Sequence, residues 1–319
     1  MIAGLPLLAW PVRPVLSILI YHRVLPVPDP LRAGEPDATR FDQQMRYLAR
    51  HFSVLPLREA FRRLRAGTLP RRACCITFDD GYADNLTVAL PILEKYGLPA
   101  TVFIASGYLD GGRMFNDAAI DALGAASGDA LDLEEIGLGR HALGTQEKRR
   151  AAIGAVLEEL KYRPPDRRET DVARLVELCG CGELPRDIML TSPQVGELSR
   201  RGVEIGGHTV SHAILTTLCD AEARAEIRSG KERLEELTDK PVKVFAYPNG
   251  RPQRDYATRH VAMMGELGFE LAVSTSPGVA NSISDGFQLP RFTPWDLTMP
   301  KWGARMLLNA WSGKAMAIC

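Results

Sequence analysis

The sequence predicts an α/β fold built as a (β/α) barrel, complete or distorted. Three observations carry that expectation. Residues 15–20 (VLSILI), 74–78 (CCITF) and 100–105 (ATVFIA) are short, apolar, β-prone runs that read as buried strands. Strand, helix and strand follow one another with short connections, the pattern of a parallel sheet. Seven or so strands alternate with helices along the chain, which suits a barrel better than an open sheet.

Composition sets the class. The 319 residues allow one large or two ordinary domains, and 45% apolar with 24% charged residues is the balance of a globular protein. Basic and acidic residues are equal at 39 each, so bulk charge gives no argument for nucleic acid as a partner. Six cysteines do not make a disulfide scaffold in this length. Cys74 and Cys75 are adjacent in a predicted strand, and Cys179-Gly-Cys181 is too sparse for a zinc ribbon. Unpaired thiols point to a reducing, cytoplasmic setting. Residues 1–10 are apolar but lack a positive leader, and Pro6, Pro11 and Pro14 break the stretch. That makes a poor signal peptide and no membrane span, leaving at most a peripheral foothold at the inner face of a membrane through the termini.

Taken in order, strand 15–20 runs into Tyr21-His22-Arg23-Val24 and a proline-rich loop. Helices follow at 40–51, where Phe41, Met45, Leu48 and Ala49 recur at helical spacing, and at 57–66. Strand 74–78 stops at Asp79-Asp80-Gly81, and a helix is expected at 85–96. After strand 100–105 the rhythm breaks. Residues 108–187 read as a helical insertion (helices at 116–126, 146–162 and 166–178), placed to form one wall of a substrate site. Otherwise 1–319 reads as a single catalytic domain. Thr191-Ser192-Pro193 restarts a helix. A strand at 203–206 delivers His208, a charged helix covers 220–237, and strand 242–247 ends at Pro248-Asn249-Gly250. A helix at 255–267, strands at 271–274 and 288–292, and an amphipathic helix at 299–311 close the chain.

The chemistry gathers at strand ends. Asp79 and Asp80 close one strand, and His208 and His212, four residues apart, follow another across Gly206-Gly207. An Asp-Gly turn with Asp80 or Asp84 capping the next helix is the plain alternative for the carboxylates. One carboxylate with two imidazoles, leaving positions open for water, is the composition of a catalytic divalent-metal site, and the second carboxylate is then free as a base.

TFDDG at 77–81 and HTVSH at 208–212 resemble the first two motifs of the polysaccharide deacetylases, the NodB-homology or carbohydrate esterase family 4 domain. FAYPNG at 245–250 and LPR at 289–291 extend the resemblance over most of the chain outside the insertion. It implies a distorted (β/α) barrel of the NodB type and a single divalent ion, usually zinc with other transition metals open, held by Asp80, His208 and His212. It implies Asp79 as general base and the turn Tyr247-Pro248-Asn249-Gly250 as the source of the oxyanion and substrate contacts. The substrate would be an N-acetylated glycan or lipid-linked sugar of envelope or exopolysaccharide assembly. A non-catalytic carbohydrate-binding relative and a deacylase of a small non-sugar amide are the alternatives.

Two departures matter. The third motif commonly has an arginine where Ala246 stands, and Arg291 is the expected replacement. The last motif commonly supplies a histidine acid where Pro290-Arg291 stand. YHRV at 21–24 is similar to the N-terminal motif of the poly-N-acetylglucosamine deacetylases, which makes His22 the candidate acid, against a histidine that merely ends a strand. His51, His141 and His260 read as surface residues. Tyr82, Tyr247, Phe292 and Trp295 are either sugar-stacking rings or barrel-mouth core.

Overall fold

The computed structural model describes residues 14–293 and 296–312; Trp295 and the apolar residues 1–10 lie outside them. The chain divides into two compact units, Gly111–Met189 with Pro28–Ala33, and the remainder.

The larger unit is a curled parallel sheet. Its strands are β1 (Leu16–Tyr21), β2 (Ser53–Val54), β3 (Ala73–Phe78), β4 (Thr101–Ile104), β7 (Glu204–Gly207), β8 (Val244–Ala246) and β9 (Leu271–Val273). They lie in the order β1-β3-β4-β7-β8-β9, with the short β2 also on β3. The two missing numbers, β5 (Ala130–Asp132) and β6 (Arg140–Ala142), form an antiparallel hairpin in the smaller unit. Sequence reading missed β2 and this hairpin because neither has a continuous apolar run.

Period-2 alternation sorts the side chains. Ala73 and Cys75 of β3, Leu16 and Ile18 of β1, and Phe103, Val244, Ala246 and Val273 pack together inside the curl. Cys74, Ile76, Phe78, Leu19 and Tyr21 face the surrounding helices α1 (Ala38–His51), α3 (Leu90–Tyr96), α7 (Ser192–Arg200), α8 (Asp220–Thr238) and α9 (Thr258–Glu266). Continued by two-residue steps, the inner rows of β1 and β3 reach His22 and Asp79.

Residues 288–292 are not the strand that the sequence suggested. Leu289 bridges only to Val273, and Phe292 only to Leu19. Pro290 between them has no N–H to extend a ladder. Those bridges nonetheless close the curl. Leu289 N–H donates to Ala272 of β9 and its carbonyl accepts from Ser274 just past β9, both at 2.9 Å, and Phe292 exchanges bonds of 3.0 and 3.1 Å with β1. Gly206 is needed where the interior is tightest, since a Cβ there would lie 2.3 Å from the Phe103 ring and 2.9 Å from Val244. Gly206→Ala should lower stability by about 1–3 kcal/mol, the range for overpacking. Urea denaturation measures it, and an unchanged midpoint would contradict this account of the interior.

The segment 85–96 opens as a π-helical turn, Asn85–Ala89, before α3, and the helix expected from 255 starts only at Thr258. His260, read as a surface residue, is fully buried on α9, where its Nδ1 caps the Ala257 N–H at 3.0 Å. In the smaller unit α4 (Phe115–Ala125), α5 (Gln146–Lys161) and α6 (Pro165–Leu178) enclose a core of their own, including Ala119, Leu133, Val156 and Leu175. Arg32 ties the Pro28–Ala33 loop to it through Asp121 at 2.5 Å. No described helix is long and apolar enough to cross a membrane.

Candidate active site

The C-terminal ends of parallel strands meet at one rim. Register sets Tyr21 beside Phe78, Ile104 beside Gly207, Gly207 beside Phe245 and Ala246 beside Val273. The next residues on β1, β3 and β7 are therefore His22, Asp79 and His208.

Asp80 meets two imidazoles. Its Oδ1 lies 3.4 Å from Nε2 of His208 and 3.4 Å from Nε2 of His212. All three ligand atoms lie within 4.8 Å of one another. His208 Nδ1 is 2.7 Å from the Ala246 carbonyl. A carbonyl can only accept, so Nδ1 carries the proton and Nε2 presents its lone pair to Asp80. Asp80 Oδ1 is buried and has no hydrogen-bond partner. An orphaned carboxylate oxygen set against the His208 lone pair is costly as it stands. A cation among the three answers that cost, so the donor set fits a divalent metal with open positions.

Backbone strain marks the same loops. Asp80, Thr209, His212 and Asn249 all have φ between 54° and 76°. A β-branched residue such as Thr209 rarely adopts that conformation. The HTVSH loop is held by α8, where Glu226 accepts the N–H groups of Val210 and Ser211 at 2.9 Å and the Ser211 hydroxyl at 2.9 Å. Sequence reading missed Glu226, which looks like any other acid on a charged helix.

Asp79 is paired with Arg291. The guanidinium donates to Oδ1 at 2.8 Å and Oδ2 at 2.7 Å, while Nε donates to the Ser274 carbonyl at 3.0 Å and Nη1 to Thr77 Oγ1 at 3.0 Å. The Phe103 ring lies under it, 5.5 Å to the centroid. Burial works against ionisation of Asp79, but the charge and hydrogen bonds of Arg291 outweigh it and hold the carboxyl below its usual range. Arg291 thus stands where a carboxylate needs its charge kept.

His22 is half-buried at the rim. Burial disfavours its protonated form, yet Asp80, Glu35 and Asp79 outweigh that and raise its pKa above the ordinary histidine value. His212 goes the other way, pushed down to about 4 by burial and by His208 despite Asp80. Two histidines of one site therefore differ in kind, one kept ready to hold a proton and one kept neutral.

In the turn after β8, the N–H of Tyr247 donates to Val273 at 3.2 Å and that of Gly250 to Pro248 at 2.7 Å. Pro248 has none, which leaves Asn249 as the other backbone donor of the turn. Tyr247 is not presented to a sugar. It is buried, stacked on Tyr256 with centroids 3.8 Å apart, and its hydroxyl donates to Phe287. Tyr82 and Phe292 are buried as well, so the core alternative holds for these rings. His51, half-buried, packs on Tyr47, and His141 meets the Leu138 carbonyl. Asp84 does not cap the following turn, because its carboxylate accepts Val24 N–H at 3.1 Å and Arg23 Nε at 2.8 Å instead.

A family model for polysaccharide deacetylases matches residues 66–136 and 145–272. YxkH of Bacillus subtilis (strain 168), named as a candidate polysaccharide deacetylase, is 23% identical over 278 residues, covering 86% of this chain and 70% of that protein. The poly-β-1,6-N-acetyl-D-glucosamine N-deacetylase of Staphylococcus aureus is 36% identical over 72 residues, which are 22% of this chain and 25% of that enzyme. The Streptococcus pyogenes deacetylase PplD, solved with acetate, has the same fold: TM-score 0.61 at 20% identity, over 93% of this chain and 99% of that one.

Proposed function

Because the chain belongs to the polysaccharide deacetylase family, we propose that it is a metal-dependent hydrolase removing acetyl groups from N-acetylated sugar units during envelope or exopolysaccharide assembly. The observation that carries this reading is the orphaned Asp80 Oδ1 between two imidazoles, one residue from a carboxylate kept charged by Arg291. The N-deacetylase named among the relatives favours β-linked N-acetylglucosamine as the sugar.

Asp80, His208 and His212 would hold the ion, and when bound it would polarise the acetyl carbonyl and acidify water. Asp79 takes the proton of the attacking water, for which it must be ionised and uncommitted to the ion. The Asn249 N–H offers a fixed donor to the negative charge growing on the carbonyl oxygen. As the new C–O bond forms and the C–N bond breaks, His22 gives its proton to the nitrogen, and acetate and a free amine leave. Arg291 keeps Asp79 charged and oriented.

The test is metal content against acetate release. Protein stripped by a chelator should lose activity on β-1,6-linked N-acetylglucosamine oligomers and regain it with about one equivalent of Zn2+. Undiminished acetate release from fully stripped protein would overturn the metal assignment.

A further inference from the structure

We propose that Asn85 is a positioning residue for His22, so that the connection carrying Asp79 and Asp80 also sets the acid. This rests on the reading of His22 as proton donor. The β1–β3 ladder ends at Tyr21 and Phe78, one residue short of His22. Beyond it, side chains take over the work of the ladder on three consecutive residues. The His22 carbonyl accepts from Asn85 Nδ2 at 2.8 Å, Arg23 N–H donates to Glu35 Oε2 at 3.3 Å, and Val24 N–H donates to Asp84 Oδ1 at 3.1 Å. Of these, only the Asn85 bond falls on His22 itself.

The Asn85 amide has one workable orientation. Its Nδ2 faces two acceptors, the His22 carbonyl and, at 3.4 Å, Asp84 Oδ1. Turned over, it would set oxygen against two oxygens. In the orientation it keeps, its own Oδ1 is buried without a partner. A buried amide with an unmet acceptor is a poor choice for stability alone, where a leucine of similar volume would bring no buried polar atom of its own and leave only the half-buried His22 carbonyl without its donor. What asparagine supplies is a fixed His22 peptide. It also opens the π-helical turn, its carbonyl accepting from the Leu90 N–H, and such wide turns occur often at functional sites.

The experiment compares Asn85→Leu, His22→Ala and the double variant on two substrates. A β-1,6-linked N-acetylglucosamine oligomer has an amine leaving group that needs a proton. 4-Nitrophenyl acetate releases a phenolate that does not. Asn85→Leu should lower amide turnover about 10–100-fold, the scale of a misplaced catalytic group, and change ester turnover far less. In the His22→Ala background it should add no further loss, and its melting midpoint should stay close to that of the parent. Equal losses on both substrates, or the same loss with and without His22, would mean a merely structural role and would overturn the proposal. Amide turnover unchanged in His22→Ala would instead remove the acid assignment, and the proposal with it. Should Asn85→Leu fail to fold, Asn85→Ala is read on the same scheme.

Discussion

Asp79→Asn is expected to reduce acetate release by at least about 10²–10⁴-fold, the contribution of a general base, while metal content stays near that of the parent. The substitution is close to isosteric, so the orphaned set of Asp80, His208 and His212 should keep its geometry. The proton acceptor is lost, since an amide cannot take a proton near neutral pH. The pairing with Arg291 is halved too: the buried guanidinium donates to both carboxylate oxygens, and in the variant one of those positions is an NH2 that can only donate. Steady-state rates beside metal analysis separate the roles. Activity within tenfold of the parent would refute Asp79 as base, and loss of metal in step with activity would make it a ligand instead.

Arg291→Met should have the largest effect on stability, about 3–5 kcal/mol, because it strands a buried carboxylate without its cation. The effect has a defined pH dependence in metal-free protein. In the parent the Asp79 carboxyl lies below its usual range, so its stabilisation is present above the unfolded value of about 3.9 and is lost as pH falls through the folded one. Without Arg291, burial loses its main counterweight, with only His208 and His22 still opposing it, and raises the folded pKa. The stabilisation then survives only in acid and is lost as pH rises. The deficit between variant and parent should therefore be large at pH 7 and shrink toward pH 4. An equal deficit at both would show that Asp79 is not the stranded group. Replacing both partners, Asp79→Leu with Arg291→Met, should recover most of the stability and none of the activity.

The sheet and the convergence of Asp80, His208 and His212 were legible because each rests on a local signal. Apolar runs such as CCITF end abruptly at charged residues, and HTVSH carries its spacing on its face. Placing His22 needed only the end of strand 15–20 and the YHRV run that follows it. What was not legible depends on long-range packing. Nothing around His260 announces that α9 turns it inward, and Tyr247 looks as available as any ring until Tyr256 is seen stacked on it. Glu226, Glu35 and Asn85 act through backbone groups of distant loops, and a backbone partner leaves no trace in sequence. Residues 288–292 misled because their composition suits a strand, while Pro290 removes the bond a strand would need.

The closing segment has a consequence for how the protein is made. Asp79 and Arg291 are 212 positions apart, and the cation arrives on the last piece of chain to join the rim. A growing polypeptide halted before it could fold much of the sheet, but with a carboxylate enclosed and nothing to keep it charged. Such an intermediate would hold that group protonated and leave β1 and β9 as open edges, prone to pairing with other chains. Competence for hydrolysis and protection from aggregation would then come together, once residues 288–292 have been made and the ring shuts. A chain cut short would have neither.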